Sequence, residues 1–417
     1  MLRNVIILPK IMTDFFDTLI IGGGAAGFFT AINLAEQTQN HSIAILERGK
    51  EVLQKVRISG GGRCNVTHAD FEPRSLSTNY PRGERELLGP FHTFMTGDTV
   101  SWFEDRGVEL KIEDDGRMFP VSDSSQSIID CFLSLSRKHK IQIKTSENVI
   151  SISKEDQLWE VSTKSKVYQA KNLVVTAGSN PKVWEMMEIL GHTVSPAVPS
   201  LFTFNAVDKK LMELAGISLE ARVEVPLLKL ESSGPLLITH WGFSGPAILK
   251  MSAWGAHKLN EVDYKFDLVI NWLNHIDQAI CYQTLIAKRK SSKRKVLNDG
   301  PFDLPKRLWE YLIQTAELAE STWADCSNKK LEVLAKTLTA SVFKINGKST
   351  FKEEFVTAGG VDLKEINFKN FESKRHENLY LAGEVLNIDA ITGGFNFQNA
   401  WTGGWMIARR IADVNSW

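Results

Sequence analysis

No apolar run in this 417-residue chain approaches the ~20 residues that cross a bilayer, so no membrane span is expected. Neither sign of charge is in excess: 49 Lys and Arg meet 49 Asp and Glu. That balance argues against a protein-wide basic surface and against nucleic acid as the partner, and leaves room only for a local patch. Cysteine is scarce. Cys64, Cys131, Cys281 and Cys326 lie far apart and form no C-x-x-C, so neither a zinc ribbon nor a thioredoxin-type pair is indicated and no metal site is expected. Free thiols in a reducing cytoplasm are the simplest reading. The first eleven residues hold one short apolar run, Val5 to Leu8, cut by Pro9 and Lys10, with no small-residue cleavage site after it. Met12 directly precedes the first expected strand, which leaves Met1 and Met12 as alternative starts. No internal repeat or low-complexity segment occurs.

What is present is organised around Asp17 to Gly27. Thr18 to Ile21 is a short β-branched and apolar run of the kind buried on both faces of a sheet. Gly22, Gly24 and Gly27 follow at G-x-G-x-x-G spacing, and Phe28 to Ala35 has helix formers with no breaker. Each glycine has a job at such a strand-to-helix turn. Gly22 permits the tight turn, Gly24 lets a pyrophosphate approach the backbone, and Gly27 lets the helix pack close to the sheet. The helix N-terminus then faces the phosphates with free N–H groups and a positive dipole end. Ser42 to Leu46 reads as a second strand, with Glu47 at its end, where a carboxylate accepts hydrogen bonds from the ribose hydroxyls of an adenosine.

Lys50 to Thr67 is the second informative stretch. Gly60, Gly61 and Gly62 cannot form a stable helix or strand interior, so a loop is expected whose backbone lies flat against a ligand. Lys55, Arg57 and Arg63 put cations beside it, which suits a phosphate or the polar edge of a flavin.

Further along, helices are expected at Thr99 to Arg106 and Ser127 to His139. Arg117 to Pro120 reads as a turn, with Arg117 either pairing with an anionic substrate or solvated on the surface. Strands at Ile141–Thr145, Asn148–Ser153, Trp159–Thr163 and Val167–Ala170 suggest an antiparallel meander, and Leu173 to Gly178 a buried strand ending in a glycine turn. Residues 191–345 differ in character. Strands are read at Leu201–Ala206, Ala221–Leu230, Pro235–Thr239 and Tyr264–Ile270. Charged helices are read at Asp277–Lys290, Pro305–Glu320 and Lys330–Leu338. Gly242-Phe-Ser-Gly-Pro246 is not a hydrolase elbow, because G-x-S-x-G needs glycine where Pro246 stands. Lys288 to Lys295 carries six cations in eight residues, either for RNA phosphates or as a solvated helix end. Asn378 to Glu384 reads as a strand ending in Gly-Glu, and Thr392-Gly-Gly-Phe-Asn-Phe-Gln398 leads into a helix.

Taken together, these stretches resemble the HI0933-like flavoproteins, the BaiN or aminoacetone oxidase-type family of FAD-dependent oxidoreductases. Six motifs carry the resemblance in order across about residues 15 to 410: Gly22 to Gly27; Ser59-Gly-Gly-Gly-Arg-Cys-Asn65; Gly116-Arg-Met-Phe-Pro120 with Ser124-Ser125; His240-Trp-Gly-Phe-Ser-Gly-Pro246; Thr357-Ala-Gly-Gly-Val361; and Gly383-Glu384 through Gly393-Gly394-Phe-Asn396. The resemblance implies an α/β fold in which a Rossmann-like FAD-binding domain is built from both chain ends, 12–190 and 346–417. Residues 191–345 would form an inserted β-rich domain with a helical subdomain that caps the flavin. The implied cofactor-binding set is Gly22, Gly24, Ala25, Ala26, Gly27, Glu47, Arg48, Lys55, Gly61, Gly62, Arg63, Cys64, Asn65, Val149, Ala177, Gly178, Gly383, Glu384, Gly394, Phe395 and Asn396.

On this reading FAD carries the electrons to or from a small organic substrate. With a single dinucleotide fingerprint, NAD(P)H would be a transient donor without a Rossmann domain of its own. Two side chains are candidates for the chemistry. Cys64, beside Arg63, is either a thiolate partner of the flavin or a packing cysteine; His240 is either an acid or base or a structural histidine. Three classes stay open: a small-molecule flavin reductase or oxidase, a flavin-dependent RNA-modifying enzyme, and a flavin-binding sensor without turnover. Substrate, nicotinamide preference and oligomeric state are not readable.

Overall fold

The computed structural model describes residues 13–349 and 356–415. The choice between Met1 and Met12 lies outside them, as does 350–355 of the expected second FAD segment. The chain divides into two compact units, one of Met1–Ala197 with Thr357–Trp417 and one of Val198–Val356.

The first unit is built on a parallel sheet. Strand β1 (Thr13–Ile21) is buried at every position from Thr18 to Ile21 and runs through the glycine turn into helix α1 (Ala25–Gln37). Strands β2 (Ile43–Leu46), β3 (Gln142–Lys144), β4 (Val167–Val175) and β5 (Leu379–Leu381) join it in the order β3-β2-β1-β4-β5, every neighbouring pair parallel. The register sets Leu19 beside Ala44 on one side and Leu173 on the other. From β1 the chain turns through α1 to β2 on one side, while β4 lies on the other. The carboxyl ends of β1 and β4 therefore frame the crevice where open α/β sheets take their ligands. Val149–Glu155 and Leu158–Thr163 extend β4 as an antiparallel meander, but Ile141–Thr145, expected as its first strand, is instead the parallel strand β3 beside β2.

The last element, helix α2 (Phe395–Asn415), packs against α1. Its two internal glycines have a packing reason. A Cβ at Gly404 would stand 3.1 Å from the Ala26 carbonyl oxygen, and one at Gly403 would stand 2.9 Å from the Ala382 Cβ. Phe29, Trp102, Phe103, Phe132 and Trp401 form an aromatic cluster beside this crossing. The crossing is thereby held by close aromatic packing.

The second unit is a closed antiparallel barrel of six strands: Thr203–Ala206, Gly242–Ser244, Leu230–Thr239, Ser218–Val225, Lys265–Asn271 and Ser341–Ser349, in that spatial order. Closure leaves no unpaired sheet edge. Helices Gln278–Ser291, Lys306–Thr315 and Asn328–Thr339 belong to the same unit and share its apolar core. One expected strand is corrected. Ala221 to Leu230 is interrupted by a turn at Pro226–Leu228, because proline has no N–H for the ladder and Lys229 turns left-handed at φ +53°. Arg117–Pro120, expected as a turn, is a strand paired to Leu110–Ile112 and Thr67–His68.

Candidate dinucleotide site

The three fingerprint glycines are distinguished by what surrounds them. Gly22 sits at φ +112° with the Thr176 backbone close against it. Gly27 is packed tightest: a Cβ there would lie 2.1 Å from the Gly22 carbonyl oxygen and 2.8 Å from Thr176 Oγ1. Gly24, the N-cap of α1, has nothing within 4 Å of its Cβ position. Two glycines thus serve packing, and the third leaves open space before the helix N-terminus, where the leading N–H groups of Ala25 and Ala26 have no intrahelical acceptor.

Glu47, at the end of β2, turns toward this loop. Its Oε2 accepts from the Gly23 N–H at 2.9 Å and its Oε1 from the Gly49 N–H at 2.7 Å. Each oxygen keeps a second lone pair. A cleft opens beside it, lined by Gly22, Glu47, Arg48, Val149, Ala177 and Asn180 among others. Residues expected on the adenosine side from four separate stretches are therefore neighbours. Lys55 forms an ion pair with Glu384 that links the glycine-rich loop to the end of β5. Gly178 lies beside that pair, 3.7 Å from Lys55 Nζ and 3.8 Å from Glu384 Oε2 when measured from its Cβ position. Gly383, at φ +76°, faces Ala26.

Helical geometry after Gln54 stops at Ser59, and Gly60, Gly61 and Gly62 take φ values of +57°, +69° and +86°, so the glycines form the expected loop. Around Gly61 there is open space. Arg63 does not serve as a free cation. Its Nη1 is 2.5 Å from Glu113 Oε1 and 3.4 Å from Asp123 Oδ1, and its guanidinium lies over the Phe119 ring. Arg117 is likewise paired with Asp115 and Glu113.

The surroundings of Cys64 favour the packing reading over the thiolate one. The side chain is completely buried, and burial pushes the thiol up to about 12, against a small opposing effect of a hydrogen bond with Ser59. Arg63 is engaged with its carboxylates and supplies no compensating field. Cys64 sits on a left-handed backbone, φ +63°, and its burial supports the packing reading.

Asn65 ties the loop to the chain's end. With its amide oriented to satisfy both partners, nitrogen donates to the Thr67 carbonyl at 3.1 Å and oxygen accepts from the Gly394 N–H at 3.0 Å. Gly394 requires glycine, since a Cβ would lie 2.6 Å from the Thr67 carbonyl. Phe395 begins α2, and Asn396 Oδ1 accepts from the Ala390 N–H.

Several residues at this junction carried no sequence signal. The His68 ring stacks on Phe395 at 4.6 Å, and its Nδ1 donates to the Gly393 carbonyl at 3.1 Å. Its Nε2 lies 2.6 Å from where a Gly116 Cβ would be, which explains that glycine. The Tyr80 hydroxyl donates to the Phe395 carbonyl, and Arg82 pairs with fully buried Asp389. Thr67 and Thr99 both donate to Gln398 Oε1. These partners are about 300 residues apart along the chain, so only the fold reveals them. His240, the other chemical candidate, belongs to the barrel unit. It stands exposed on the tight turn after Leu230–Thr239, with no hydrogen bond among the described residues.

The residues present fit an adenine dinucleotide: open space at Gly24 before a helix N-terminus, a carboxylate on the next strand end, and a cleft beside it. Among the described residues no cluster could hold a metal ion, and no helix is long and apolar enough to cross a membrane.

Comparison with known proteins agrees with this geometry. The chain is 29% identical to a Haemophilus influenzae protein named ribosomal RNA dihydrouridine synthase, over 96% of this chain and 100% of that one. It is 26% identical to a 3-dehydro-bile acid delta(4,6)-reductase of Clostridium scindens, over 94% of this chain and 98% of that one. Among solved structures, a 3-ketosteroid-delta4-(5alpha)-dehydrogenase from Rhodococcus jostii superposes with a TM-score of 0.50 at 13% identity, covering 96% of this chain and 97% of that one; at that identity it shows the fold alone. Residues 16–410 match the HI0933-like protein Rossmann domain, so the chain belongs to the HI0933-like family of FAD-binding Rossmann proteins.

Proposed function

We propose that this chain uses FAD to reduce a carbon–carbon double bond conjugated to a carbonyl, with NAD(P)H as a transient electron donor. The observation that carries this is a chemistry common to two relatives whose names describe different substrates. Dihydrouridine is uridine with hydrogen added across C5–C6, a bond conjugated to the C4 carbonyl. A delta(4,6) reduction of a 3-dehydro bile acid acts on double bonds conjugated to the 3-oxo group. In uridine and at the delta-4 bond the hydride goes to the carbon β to the carbonyl and the proton to the α carbon; at the delta-6 bond, conjugated through the first, the hydride goes to the δ carbon.

FAD, when bound, supplies the hydride. The chain's own residues then have separable tasks. Glu47 and the cleft beside it would hold the adenosine, and the free N–H groups at the start of α1 would offset the pyrophosphate charge. Lys55 and Glu384 would hold the glycine-rich loop against the end of β5. The N-terminus of α2 is the candidate for stabilising negative charge on the reduced ring.

Anaerobic mixing of the purified yellow protein with NADH or NADPH tests the reading. Flavin absorbance should bleach and return when a conjugated enone is added, with a product two hydrogens heavier. Bleaching by a small amine, with no reoxidation by any enone, would make the protein an amine oxidase instead. A flavin that no nicotinamide nucleotide or other donor reduces would favour a sensor.

A second reading concerns the substrate: a uracil in RNA in place of a small enone. The name and full-length similarity of the Haemophilus relative favour it. The cationic run at 288–295 does so less than its composition suggests. Lys288 is paired with Asp299, Lys295 with Glu320, and Arg289 is bonded to the Cys326 carbonyl and Asn328.

A further inference from the structure

A second cleft in the first unit brings together several cations that have no acidic partner among the described residues. It has a volume of about 660 Å³, within the range of sites for nucleotide-sized groups. Its walls come from helix Glu84–Phe91, the 367–370 turn and the last turns of α2, about 20 Å along that helix from Phe395 at 1.5 Å per residue. Arg85, Lys369, Arg409 and Arg410 line it, against Glu86 and Asp413. Arg410 lies 4.0 Å from Glu372, whereas Arg85, Lys369 and Arg409 are exposed and have no acidic partner among the described residues. Half-buried Phe368 lines the cleft beside them, its ring 5.1 Å from that of Phe371 in a T-shaped contact.

We infer that this cleft is a contact site for single-stranded RNA, with Arg85, Lys369 and Arg409 on successive phosphates and Phe368 as a stacking surface. The inference rests on the RNA reading of the proposed function. A mononucleotide site gathers backbone N–H groups round one phosphate; here point charges from three separate segments stand along an open rim, which suits a strand. In a chain of zero net charge, such a local excess is the electrostatic footprint that a backbone contact needs.

The test compares wild-type holoenzyme with R85Q/K369Q/R409Q and, separately, Phe368→Ala, in binding a ribosomal RNA fragment across a salt series. Each lost single-strand phosphate contact removes about 0.7 from the slope of log affinity against log salt, so the triple variant should lose about 2, and more than tenfold in affinity at fixed salt. Phe368→Ala should weaken binding without changing the slope. Flavin content and turnover of a free enone should stay at wild-type values in both, and so should the melting temperature of the triple variant. An unchanged slope in the folded triple variant overturns the site. So does wild-type protein that fails to retain RNA, and so does a loss confined to ATP or pyrophosphate. The proposed reaction fails by a different result: no conjugated acceptor, free or in RNA, reoxidises the reduced flavin.

Discussion

Replacing Gly24 and Gly27 by alanine, one at a time, separates the two physical roles of a glycine fingerprint. At Gly27 the new methyl would sit 2.1 Å from the Gly22 carbonyl oxygen and 2.8 Å from Thr176 Oγ1. The first of these is backbone, so the β1–α1 turn has to move by more than 1 Å to restore an ordinary contact. Overpacking of this kind costs up to about 3 kcal/mol. The smaller entropy of the unfolded alanine chain returns roughly 0.5–1 kcal/mol. The net loss is about 2–2.5 kcal/mol. At about 2–4 °C per kcal/mol for a unit of this size, Gly27→Ala should melt some 4–10 °C lower even without flavin. At Gly24 the methyl meets nothing within 4 Å, and φ −97° suits alanine. Loss of N-cap preference and gain in chain entropy roughly cancel, so flavin-free stability should change by about 0.5 kcal/mol or less. The methyl fills the space before the helix N-terminus, however, and the dissociation constant for FAD should rise tenfold or more, about 1.4 kcal/mol. Differential scanning fluorimetry of the stripped proteins and fluorescence titration with FAD read the two effects independently. If both variants lose stability alike, or Gly24→Ala binds FAD as the wild type does, the assignment of the open space to the pyrophosphate is wrong.

Three further perturbations follow from the same geometry. Glu47→Ala leaves the Gly23 and Gly49 N–H groups without their acceptor and removes the ribose partner, so the purified protein should carry clearly less flavin; full flavin content would count against the adenosine assignment. Cys64→Ser should leave turnover unchanged between about pH 6 and 9, because a thiol pushed up to about 12 is neutral throughout; rapid alkylation of Cys64 in the native protein at neutral pH would contradict its burial. Glu365 is held down to about 2, first by Arg375 and then by the Thr193 N–H and His192, from an ordinary value of 4.5. A depressed carboxylate stabilises the fold above its unfolded value and loses that contribution as pH falls toward its folded one. Acid unfolding between about pH 4.5 and 2 should therefore be less steep in Glu365→Gln, and identical pH–stability curves would refute the linkage.

The dinucleotide half of the fold was legible because its signals are local. A buried β-branched strand, three glycines at fixed spacing, a helix and an acid at the next strand end all lie between Thr18 and Glu47, and each follows from backbone sterics within a few residues. The glycine loop at 60–62 was legible for the same reason. Side-chain chemistry was read less well. Arg63 and Cys64 sit next to one another in sequence, which suggested a cation activating a thiol. The fold sends the arginine to Glu113 and Asp123 and buries the cysteine, so adjacency along the chain was a poor guide to the electrostatic environment.

Sequence alone therefore determined the nucleotide-binding turn, the α/β class and the kinship, because those rest on periodicity and on conformations that only glycine adopts. The tertiary structure alone decided which charges are spent and which are free. In Lys288 to Lys295, conspicuous in sequence, two of the six cations are paired with acids and Arg289 is bonded to neutral groups, while Arg85, Lys369 and Arg409, unremarked in sequence, meet around one cleft. The reason is physical: a charge's environment is set by what packs against it, and in this fold those neighbours come from segments about 300 residues apart.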